Sequence, residues 1–321
     1  MKRRAFIAGL GVTAWPLSAW AQQPAMPVIG FLRSTFLDSN LVSAFREGLK
    51  EVGYIEGQNV AIEYLSAEDR LDRLPALVAD LIGRRVSVIV GNNNSALAAK
   101  AATTTVPIVF GTGSDPVRDG LVTSFNRPGG NVTGVVFFAA VLGTKRLGLL
   151  RELVPKATTI AMLVNPNSPD TEAERRDVQA AAQAVGQQLI IVDVNSERDL
   201  ETAFATFAQH GAGALLAGTG AFLNSHRDRL VELAARHALP TCYALREPVA
   251  AGGLMSYGPS IREAYRQVGI YAGRILKGEK PGDLPVIQST KFDFVINLKT
   301  AKALGLDVPP TLLAITDEAI E

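Results

Sequence analysis

The chain has few of the residue types that most often carry out catalysis or bind metals. Its 321 residues include one cysteine, Cys242, and three histidines, at positions 210, 226 and 237. A single cysteine excludes a disulfide within the chain and a multi-cysteine metal site. The histidines show no His-x-x-x-His or His-x-x-Glu spacing, which is what a metal site on a helix would need. We therefore predict neither a metal ion nor a cofactor.

Sequence motifs of catalysis and phosphate binding are also missing. The segment 254–258, Leu-Met-Ser-Tyr-Gly, has leucine where the Gly-x-Ser-x-Gly nucleophile motif needs its first glycine. The segment 273–280 is similar to a phosphate-binding loop, but Glu279 stands in the place of the lysine. We interpret that segment as the end of a helix closed by Gly278. The sequence therefore predicts that the chain is not an enzyme.

The chain also lacks an excess of basic charge. Its formal charge is +1, from 32 Lys and Arg against 31 Asp and Glu. Residues 1–21 contain three of the basic residues and no acidic ones, so the remaining 300 residues carry 29 basic and 31 acidic side chains, a formal charge of −2. Because binding to nucleic acid needs a basic surface, we predict no nucleic-acid partner.

Residues 1–21 have the pattern of a secretory signal peptide. Three basic residues at 2–4 precede the mostly apolar stretch 6–17, and the segment 19–21, Ala-Trp-Ala, fits a small-x-small cleavage site. The pair Arg3-Arg4 partly matches the twin-arginine export signal, so both twin-arginine and general secretion stay open. We therefore expect cleavage after residue 21 and a periplasmic protein, and 300 residues are enough for two domains.

From residue 28 onward, short apolar runs alternate with amphipathic stretches, which is typical of an α/β protein. The predicted strands form two series, 28–32, 59–64, 86–90, 108–110 and 132–138 in the first, and 160–164, 189–194, 214–217 and 241–243 in the second. The series divide near residues 138–143. We expect two α/β lobes with a ligand between the carboxyl ends of their strands.

Residues from 252 onward do not form a third series. They are predicted to contain a segment that crosses between the lobes (254–258), a helix (261–276), a strand (291–296) and a last helix from residue 297. A chain that crosses several times can bend at the crossings without unfolding. We predict an N-terminal lobe of residues 27–138 with about 258–285, and a C-terminal lobe of 139–257 with about 286–321.

Polar or aromatic turns follow the predicted strands and supply the candidate ligand-binding residues. In the turn 91–95, Gly-Asn-Asn-Asn-Ser, the free N–H groups and the dipole of the following helix favour a carboxylate. Each turn taken alone is also explained by ordinary capping, since Asn, Ser, Asp and Gly are common there. The full set of candidates is Ser34, Thr35, Phe36, Asn92, Asn93, Asn94, Ser95, Gly113, Ser114, Asp115, Asn165, Asn167, Thr219, Phe222, Tyr243, Glu247 and Tyr257.

The charges of these candidates suggest roles. An amino group on the ligand would need a carboxylate partner, and the turns contain two acids, Asp115 and Glu247. We favour Asp115, although an Asp before Pro116 is equally well explained as a turn cap. The four aromatic candidates could hold an apolar or aromatic ligand group, but each taken singly is more typical of a core residue.

Several segments together resemble a known family. They are 91–100 with 106–110, then 115–122, 126–134 with its Asn-Arg-Pro-Gly-Gly-Asn run, 250–258, and 294–306. The chain resembles the ABC-transporter substrate-binding protein family that includes tryptophan- and tyrosine-binding members. The resemblance covers residues after the signal peptide almost completely. It implies a type I periplasmic binding fold, two Rossmann-like lobes joined by a multi-stranded hinge, and delivery of a small ligand to a membrane permease.

The chain departs from this family at two turns. Members often have Thr-Pro where this chain has Asn93-Asn94, and an acidic, phenylalanine-rich turn where it has residues 218–222. We therefore expect the ligand to be a carboxylate, either an amino acid or an amine-free acid such as an aromatic acid. We also expect the protein to be a monomer. A sensor that presents its ligand to a membrane receptor has the same sequence features. A secreted α/β enzyme is the third hypothesis, and it would need a base and a nucleophile.

Overall fold

Two β-sheets, each covered by helices on both faces, form the part of the chain that the computed structural model describes, residues 26–289 and 292–321. The predicted signal peptide lies outside the described residues. The α/β fold that the sequence predicts is confirmed. No helix among the described residues is both long enough and apolar enough to cross a membrane.

The strands and helices alternate through both sheets. The strands are β1 Val28–Arg33, β2 Ala61–Ser66, β3 Val88–Gly91, β4 Ile108–Thr112, β5 Val132–Val136, β6 Thr159–Val164, β7 Gln188–Asp193, β8 Ala214–Ala217, β9 Thr241–Tyr243, β10 Met255–Pro259, β11 Ile287–Gln288, β12 Phe292–Asn297 and β13 Glu318–Ile320. The helices are α1 Ser39–Glu51, α2 Leu74–Gly83, α3 Asn93–Ala102, α4 Gly143–Leu153, α5 Thr171–Ala184, α6 Glu197–Gln209, α7 Ala221–Ser225, α8 Arg227–Arg236, α9 Arg246–Ala250, α10 Ile261–Leu276, α11 Leu298–Ala303 and α12 Pro310–Ala314.

Five strands of each sheet have the same order, β5-β4-β3-β1-β2 in the first and β10-β9-β8-β6-β7 in the second. The first sheet runs β11-β5-β4-β3-β1-β2 and the second β13-β12-β10-β9-β8-β6-β7. Only the pairing of β10 with β12 is antiparallel among the described strands. In each sheet the order reverses next to its first strand, between β1 and β3 and between β6 and β8. Such a reversal opens a crevice at the carboxyl ends of the strands, which is where ligands of open α/β sheets bind.

Both faces of each sheet are buried, which explains why the central strands are almost entirely apolar. In β3, Val88 and Val90 pack on the face covered by α1 and α10, while Ile89 packs on the face covered by α2 and α3. The second sheet alternates in the same way, with Leu163 on one face and Met162 on the other.

Some predicted boundaries differ from the structure. The strand predicted at 59–64 lies at Ala61–Ser66, so it ends two residues later. The segment predicted to cross between lobes, 254–258, is largely the strand β10, because Met255 and Ser256 pair with Cys242 and Tyr243 of β9. The short strands β11 and β13 were not predicted, because they are too brief to produce a periodic pattern.

The chain passes between the sheets at three places, after β5, after β10 and after β11. The strand Ile287–Gln288 pairs with β5 of the first sheet, and Gly258 and Pro259 pair with β12 of the second. The exact lobe boundaries at residues 257–258 and 285–286 remain a prediction.

Helix α10 returns from the second sheet and packs closely on α1. A Cβ on Gly269 would lie 2.1 Å from the carbonyl oxygen of Phe45, and a Cβ on Gly48 would lie 1.8 Å from that of Arg266. These glycines allow the two backbones to meet without side chains between them. The contact fixes α10 against the first sheet, and α10 carries Tyr265 to the end of β1.

We predict that Gly269→Ala destabilises the protein by about 1–3 kcal/mol, the usual cost of overpacking, because backbone atoms cannot move aside as a flexible side chain can. Thermal unfolding measures the change. Gly148→Ala is the matched control: Gly148 lies inside α4 with nothing within 4 Å of its Cβ position, so alanine there should raise stability by up to about 1 kcal/mol. Equal effects of the two substitutions would contradict the prediction.

Candidate functional site

A cavity of about 120 Å³ lies between the two sheets, where their strand-order reversals face each other. From the first sheet it is lined by residues after β1, β3 and β4, and from the second by residues after β6, β8 and β9. An apolar protein cavity of about 150 Å³ holds a benzene molecule. The cavity is therefore of a size for a small organic ligand.

Most of the predicted binding residues line this cavity. They are Ser34, Thr35, Asn92, Asn93, Asn94, Gly113, Ser114, Asn165, Asn167, Thr219, Phe222 and Tyr243. They come from separate turns of both sheets. The structure thus brings together turns that the sequence could only relate through the expected geometry of parallel strands.

Two of the predicted residues lie beside the cavity without lining it. Phe36 is 49% exposed, and its ring meets the His226 ring edge-on with centroids 6.0 Å apart. Ser95 is fully buried, and its hydroxyl donates a hydrogen bond to Asn92 Oδ1 at 2.8 Å. Ser95 therefore helps to hold the turn.

The two acids proposed to bind an amino group are not among the lining residues either. The Asp115 carboxylate accepts hydrogen bonds from the backbone N–H groups of Val117 (2.9 Å) and Arg118 (3.2 Å), so it caps its own turn. Glu247 lies at the start of α9, where burial raises the pKa of its carboxyl. Tyr257 packs against Phe294 of the neighbouring strand, with ring centroids 6.3 Å apart.

The side chain of Asn92 joins the ends of β1 and β3. Its Oδ1 accepts from the Ser34 backbone N–H (3.1 Å), and its Nδ2 donates to Ser34 Oγ (2.7 Å). The neighbouring Asn93 donates from Nδ2 to Asp119 (3.0 Å), but its buried Oδ1 has no partner among the described residues. The first turn of α3 has no side-chain cap, so its backbone N–H groups remain available at the cavity.

Arg33, the last residue of β1, lines the cavity and is only 3% exposed. Its guanidinium donates to the hydroxyls of Tyr265 and of Thr35, the latter at 3.3 Å, and lies over the Tyr265 ring at 5.5 Å. These partners are neutral, and Nε has no partner in the part of the chain that the structure describes. Arg33 was not among the predicted binding residues, although an arginine at the end of an apolar strand is a usable signal.

Asp69, in the turn after β2, also lines the cavity. Burial raises the pKa of its carboxyl, while the nearby basic side chains of His226 and Arg33 act to lower it. The sequence pattern places the end of this strand at Tyr64, so the turn that follows the true end at Ser66 was not among the predicted polar turns. The error of two residues is the reason that Asp69 was missed.

Two other buried polar atoms of the cavity lining have no partner within the described ranges. They are Oδ1 of Asn224 and the hydroxyl of Tyr243. Buried polar atoms are nearly always hydrogen-bonded in native proteins. A ligand with polar groups would supply the missing partners.

A buried ion pair supports the wall formed by the second sheet. Arg146 and Glu174 are almost fully buried, and Arg146 Nη2 lies 2.5 Å from Glu174 Oε1. The other carboxylate oxygen, Oε2, accepts from the backbone N–H (2.9 Å) and the hydroxyl (2.8 Å) of Thr219. Arg146 also donates to the carbonyl of Ala139, which lies in the first crossing between the sheets, at 2.9 Å. The pair therefore connects a crossing to the cavity wall.

Ion pairs also join the two sides of the cavity at its edge. Arg227 of α8 lies 2.6 Å from Asp38, which caps α1, and Arg118 pairs with Asp170 before α5. His226 Nε2 lies 3.6 Å from Asp69 Oδ2. In each pair one residue belongs to the first sheet's side and the other to the second's.

A metal site has no support within residues 26–289 and 292–321, since no group of three or more His, Cys, Asp or Glu could hold an ion there. Cys242 is fully buried in β9, and burial raises the pKa of its thiol to about 12. A thiol with that pKa is a poor nucleophile.

We predict that Glu174→Gln destabilises the protein by about 3–5 kcal/mol, because it leaves the buried Arg146 charge without its counter-charge. Thermal or urea unfolding measures the loss. Glu47→Gln removes the same charge from an exposed ion pair with Arg262 and is the control. It should leave the unfolding midpoint unchanged, since exposed pairs contribute little. A Glu174→Gln protein as stable as the control would contradict this account.

Comparison with known proteins places this architecture in a family. The sequence pattern of a family described as ABC transporter substrate binding protein matches residues 28–320. A tyrosine-binding protein of Clostridioides difficile (strain R20291) is 24% identical over 263 residues, which are 82% of this chain and 75% of that protein.

Solved structures agree with this assignment in fold. A conserved domain protein from Vibrio cholerae has a TM-score of 0.82 at 25% identity, and an ABC domain in complex with L-Trp from Streptococcus pneumoniae has 0.81 at 24% identity. Each alignment covers 92% of this chain and 99% of the other. The resemblance inferred from the sequence is confirmed: the chain belongs to the ABC-transporter substrate-binding protein family.

Proposed function

We propose that this chain is the periplasmic substrate-binding protein of an ABC importer, and that it captures a small carboxylate by closing two lobes around the cavity. Members of the family typically act outside the cytoplasm. The predicted signal peptide supports export, and the family supports a permease as the partner. We propose that the protein acts as a monomer.

The observation that carries the proposal is the buried guanidinium of Arg33. Burying a charge is costly unless an opposite charge or a full set of hydrogen bonds compensates it. The described partners of Arg33 are two neutral hydroxyls, and its Nε is unpartnered among the described residues. A ligand carboxylate in the cavity would provide both the counter-charge and an acceptor for Nε.

The position of Arg33 strengthens this argument. Leu32 pairs with Gly91 in the first sheet, so the residues that follow them, Arg33 and Asn92, lie side by side at the strand ends. The first turn of α3 therefore opens beside the guanidinium. A carboxylate placed there would also meet the positive end of the α3 dipole, which contributes up to about 2 kcal/mol in a partly buried site.

The ion pairs across the cavity edge support a closing motion. Arg227 with Asp38 and Arg118 with Asp170 can form only when the two lobes are close together. Three chain crossings between the sheets would allow the lobes to rotate while each sheet stays intact. Closure would remove water from around the ligand and strengthen its contacts with Arg33.

The apolar part of the cavity indicates the ligand class. Phe222, Leu223, Leu230, Leu245 and Pro248 line it on the side of the second sheet. The similar proteins named for tyrosine and solved with L-Trp fit the same description. We propose an aromatic or branched amino acid, or an amine-free aromatic acid, as the ligand.

The contacts of Ser225 and His226 argue against a hydrolase. Ser225 Oγ lies 3.2 Å from His226 Nδ1, and Asp69 lies near the other ring nitrogen, which superficially matches a serine triad. However, Ser225 Oγ donates to the carbonyl of Phe222 at 2.8 Å, and His226 Nδ1 lies 3.1 Å from the same oxygen. The Ser225 proton is thus directed to a carbonyl oxygen, and Nδ1 faces that same oxygen, so the two groups are not arranged for proton transfer from Ser225 to His226. We propose binding without catalysis.

The proposal predicts that one class of carboxylate raises the melting temperature of the purified protein lacking residues 1–21. A ligand present at one hundred times its dissociation constant adds about 2.7 kcal/mol of stability, which a melting screen detects easily. The screen should contain aromatic and branched amino acids, their amine-free analogues and small peptides. The matched neutral amides are the control. An unchanged melting temperature with every compound would contradict the proposed ligand class.

The closing motion predicts that Arg227→Gln weakens ligand binding by on the order of fivefold, because a partly buried ion pair of up to about 1 kcal/mol is lost from the closed form alone. In the presence of ligand, small-angle scattering should show a larger radius of gyration for this variant than for the wild-type protein. Arg229→Gln is the control, since Arg229 lies on the same helix but pairs with Glu201 and Glu232 within one lobe. Equal affinities for the two variants would show that the Asp38 pair does not contribute to closure.

A further inference from the structure

We infer that Asp69 is the residue that makes the site select acids with a free amino group over amine-free acids. This inference rests on the proposed function and concerns the same cavity. Asp69 would bind the ligand's ammonium group while Arg33 binds its carboxylate. Neither residue was expected from the sequence, where Asp115 had the role now given to Asp69.

Few carboxylates at the cavity could bind the ammonium group of a ligand. Among the described residues that line it, the acidic ones are Asp69 and Asp170. Asp170 is already paired with Arg118. The Asp69 carboxylate accepts no hydrogen bond from any residue in the described ranges, and the nearest basic group, His226 Nε2, is 3.6 Å away. Asp69 therefore has the capacity to accept hydrogen bonds from an ammonium group.

The backbone holds Asp69 in an uncommon conformation. Glu68 and Asp69 both have positive φ angles, +53° and +64°. This left-handed region is tolerated by aspartate but costs roughly 1–2 kcal/mol for a side chain such as that of Glu68, and strain of this kind is concentrated at functional sites.

Hydrogen bonds attach this strained turn to the end of β1. The backbone N–H of Ala67 donates to the carbonyl of Arg33 (2.9 Å), and that of Asp69 donates to the carbonyl of Ser34 (3.0 Å). Asp69 and Arg33 are therefore fixed relative to each other by adjacent backbone contacts. Their charges are close enough to interact, because Arg33 acts to lower the pKa of Asp69.

This arrangement matches the charges of an amino acid. An α-amino acid carries an ammonium and a carboxylate on one carbon, so a site for it needs an anion and a cation a short distance apart. Asp69 and Arg33 are such a pair, and no ion pair closer than 4 Å joins them among the described contacts. An amine-free acid would satisfy Arg33 but would leave the Asp69 carboxylate without a hydrogen-bond donor, which weakens binding.

The test compares acids that differ only in the amino group. L-tryptophan, L-tyrosine and L-leucine are titrated by calorimetry against indole-3-propionate, 3-(4-hydroxyphenyl)propionate and 4-methylpentanoate, together with any further acid that the melting screen identifies and its analogue. We expect the wild-type protein to bind the amino acid about 10- to 100-fold more tightly than its analogue, the range for a hydrogen bond to a charged group. Asp69→Asn should remove this preference and leave the affinity for the analogue unchanged or higher.

Two further variants complete the experiment. Asp72→Asn removes the same charge from an exposed residue of the neighbouring segment and should keep the wild-type preference. Arg33→Gln should weaken both classes of acid alike, because the carboxylate is common to them. Asparagine tolerates positive φ angles, so Asp69→Asn should keep the backbone, and its melting temperature without ligand verifies this.

The outcomes separate this inference from the proposed function. If amine-free acids bind the wild-type protein as tightly as amino acids, or if Asp69→Asn weakens both classes equally, the role of Asp69 is overturned while the binding of carboxylates stands. If no acid of either class binds the wild-type protein, both proposals fail. A preference for amino acids that Asp69→Asn abolishes and Asp72→Asn retains supports the inference.

Discussion

The buried charge of Arg33 is the constraint on which the candidate site depends. A guanidinium at the end of a central strand can stay charged away from water only if its surroundings are organised around it. Tyr265 supplies a hydroxyl and an aromatic face, and it reaches Arg33 only because α10 packs directly on α1 through Gly48 and Gly269. The packing of two helices that are more than 200 residues apart in sequence therefore sets the electrostatics of the cavity. No carboxylate of the described residues forms an ion pair with Arg33, and its Nε has no hydrogen-bond acceptor, so a ligand with a carboxylate would complete its surroundings.

A second buried charge links the cavity wall to the path of the chain between the sheets. Arg146 contacts both the carbonyl of Ala139 and the carboxylate of Glu174, and Glu174 holds Thr219 at the cavity. A conformational change in the first crossing would have to move this network as a whole or break the Arg146–Glu174 ion pair. Breaking a buried ion pair is costly. In the proposed closing motion, the cavity wall of the second sheet would therefore rotate as a rigid unit with its end of the crossing. Lobes that move as rigid units would allow the few ion pairs at the cavity edge to influence whether the whole cleft is open or closed.

The sequence was sufficient for the fold and for the convergence of the polar turns on one cavity, because both follow from the order of apolar runs. Strand ends of parallel sheets converge, so polar turns such as 92–95 and 165–168 can be related to one another from the sequence alone. Individual roles were harder to predict. Asp115 has a side chain suited to binding an amino group, but its carboxylate caps its own turn. The side-chain amide of Asn92 joins β1 to β3. Asp69 was missed because a strand end was placed two residues early. An error of two residues is small along the chain, yet it changes which side chains are predicted to face the cavity.

The unpartnered polar atoms of the cavity divide between the two lobes in a way that suits a ligand held at both ends. Arg33 Nε and Asn93 Oδ1 belong to the first sheet's side, where the Asp69 carboxylate lies near Arg33. Asn224 and Tyr243 belong to the second sheet's side, among apolar residues. A ligand whose charged end binds the first lobe would therefore present its remaining part to a mainly apolar wall with two hydrogen-bonding atoms. Because each lobe satisfies only part of such a molecule, the full set of contacts forms only when the lobes meet. The distribution of partners itself would then couple binding to closure.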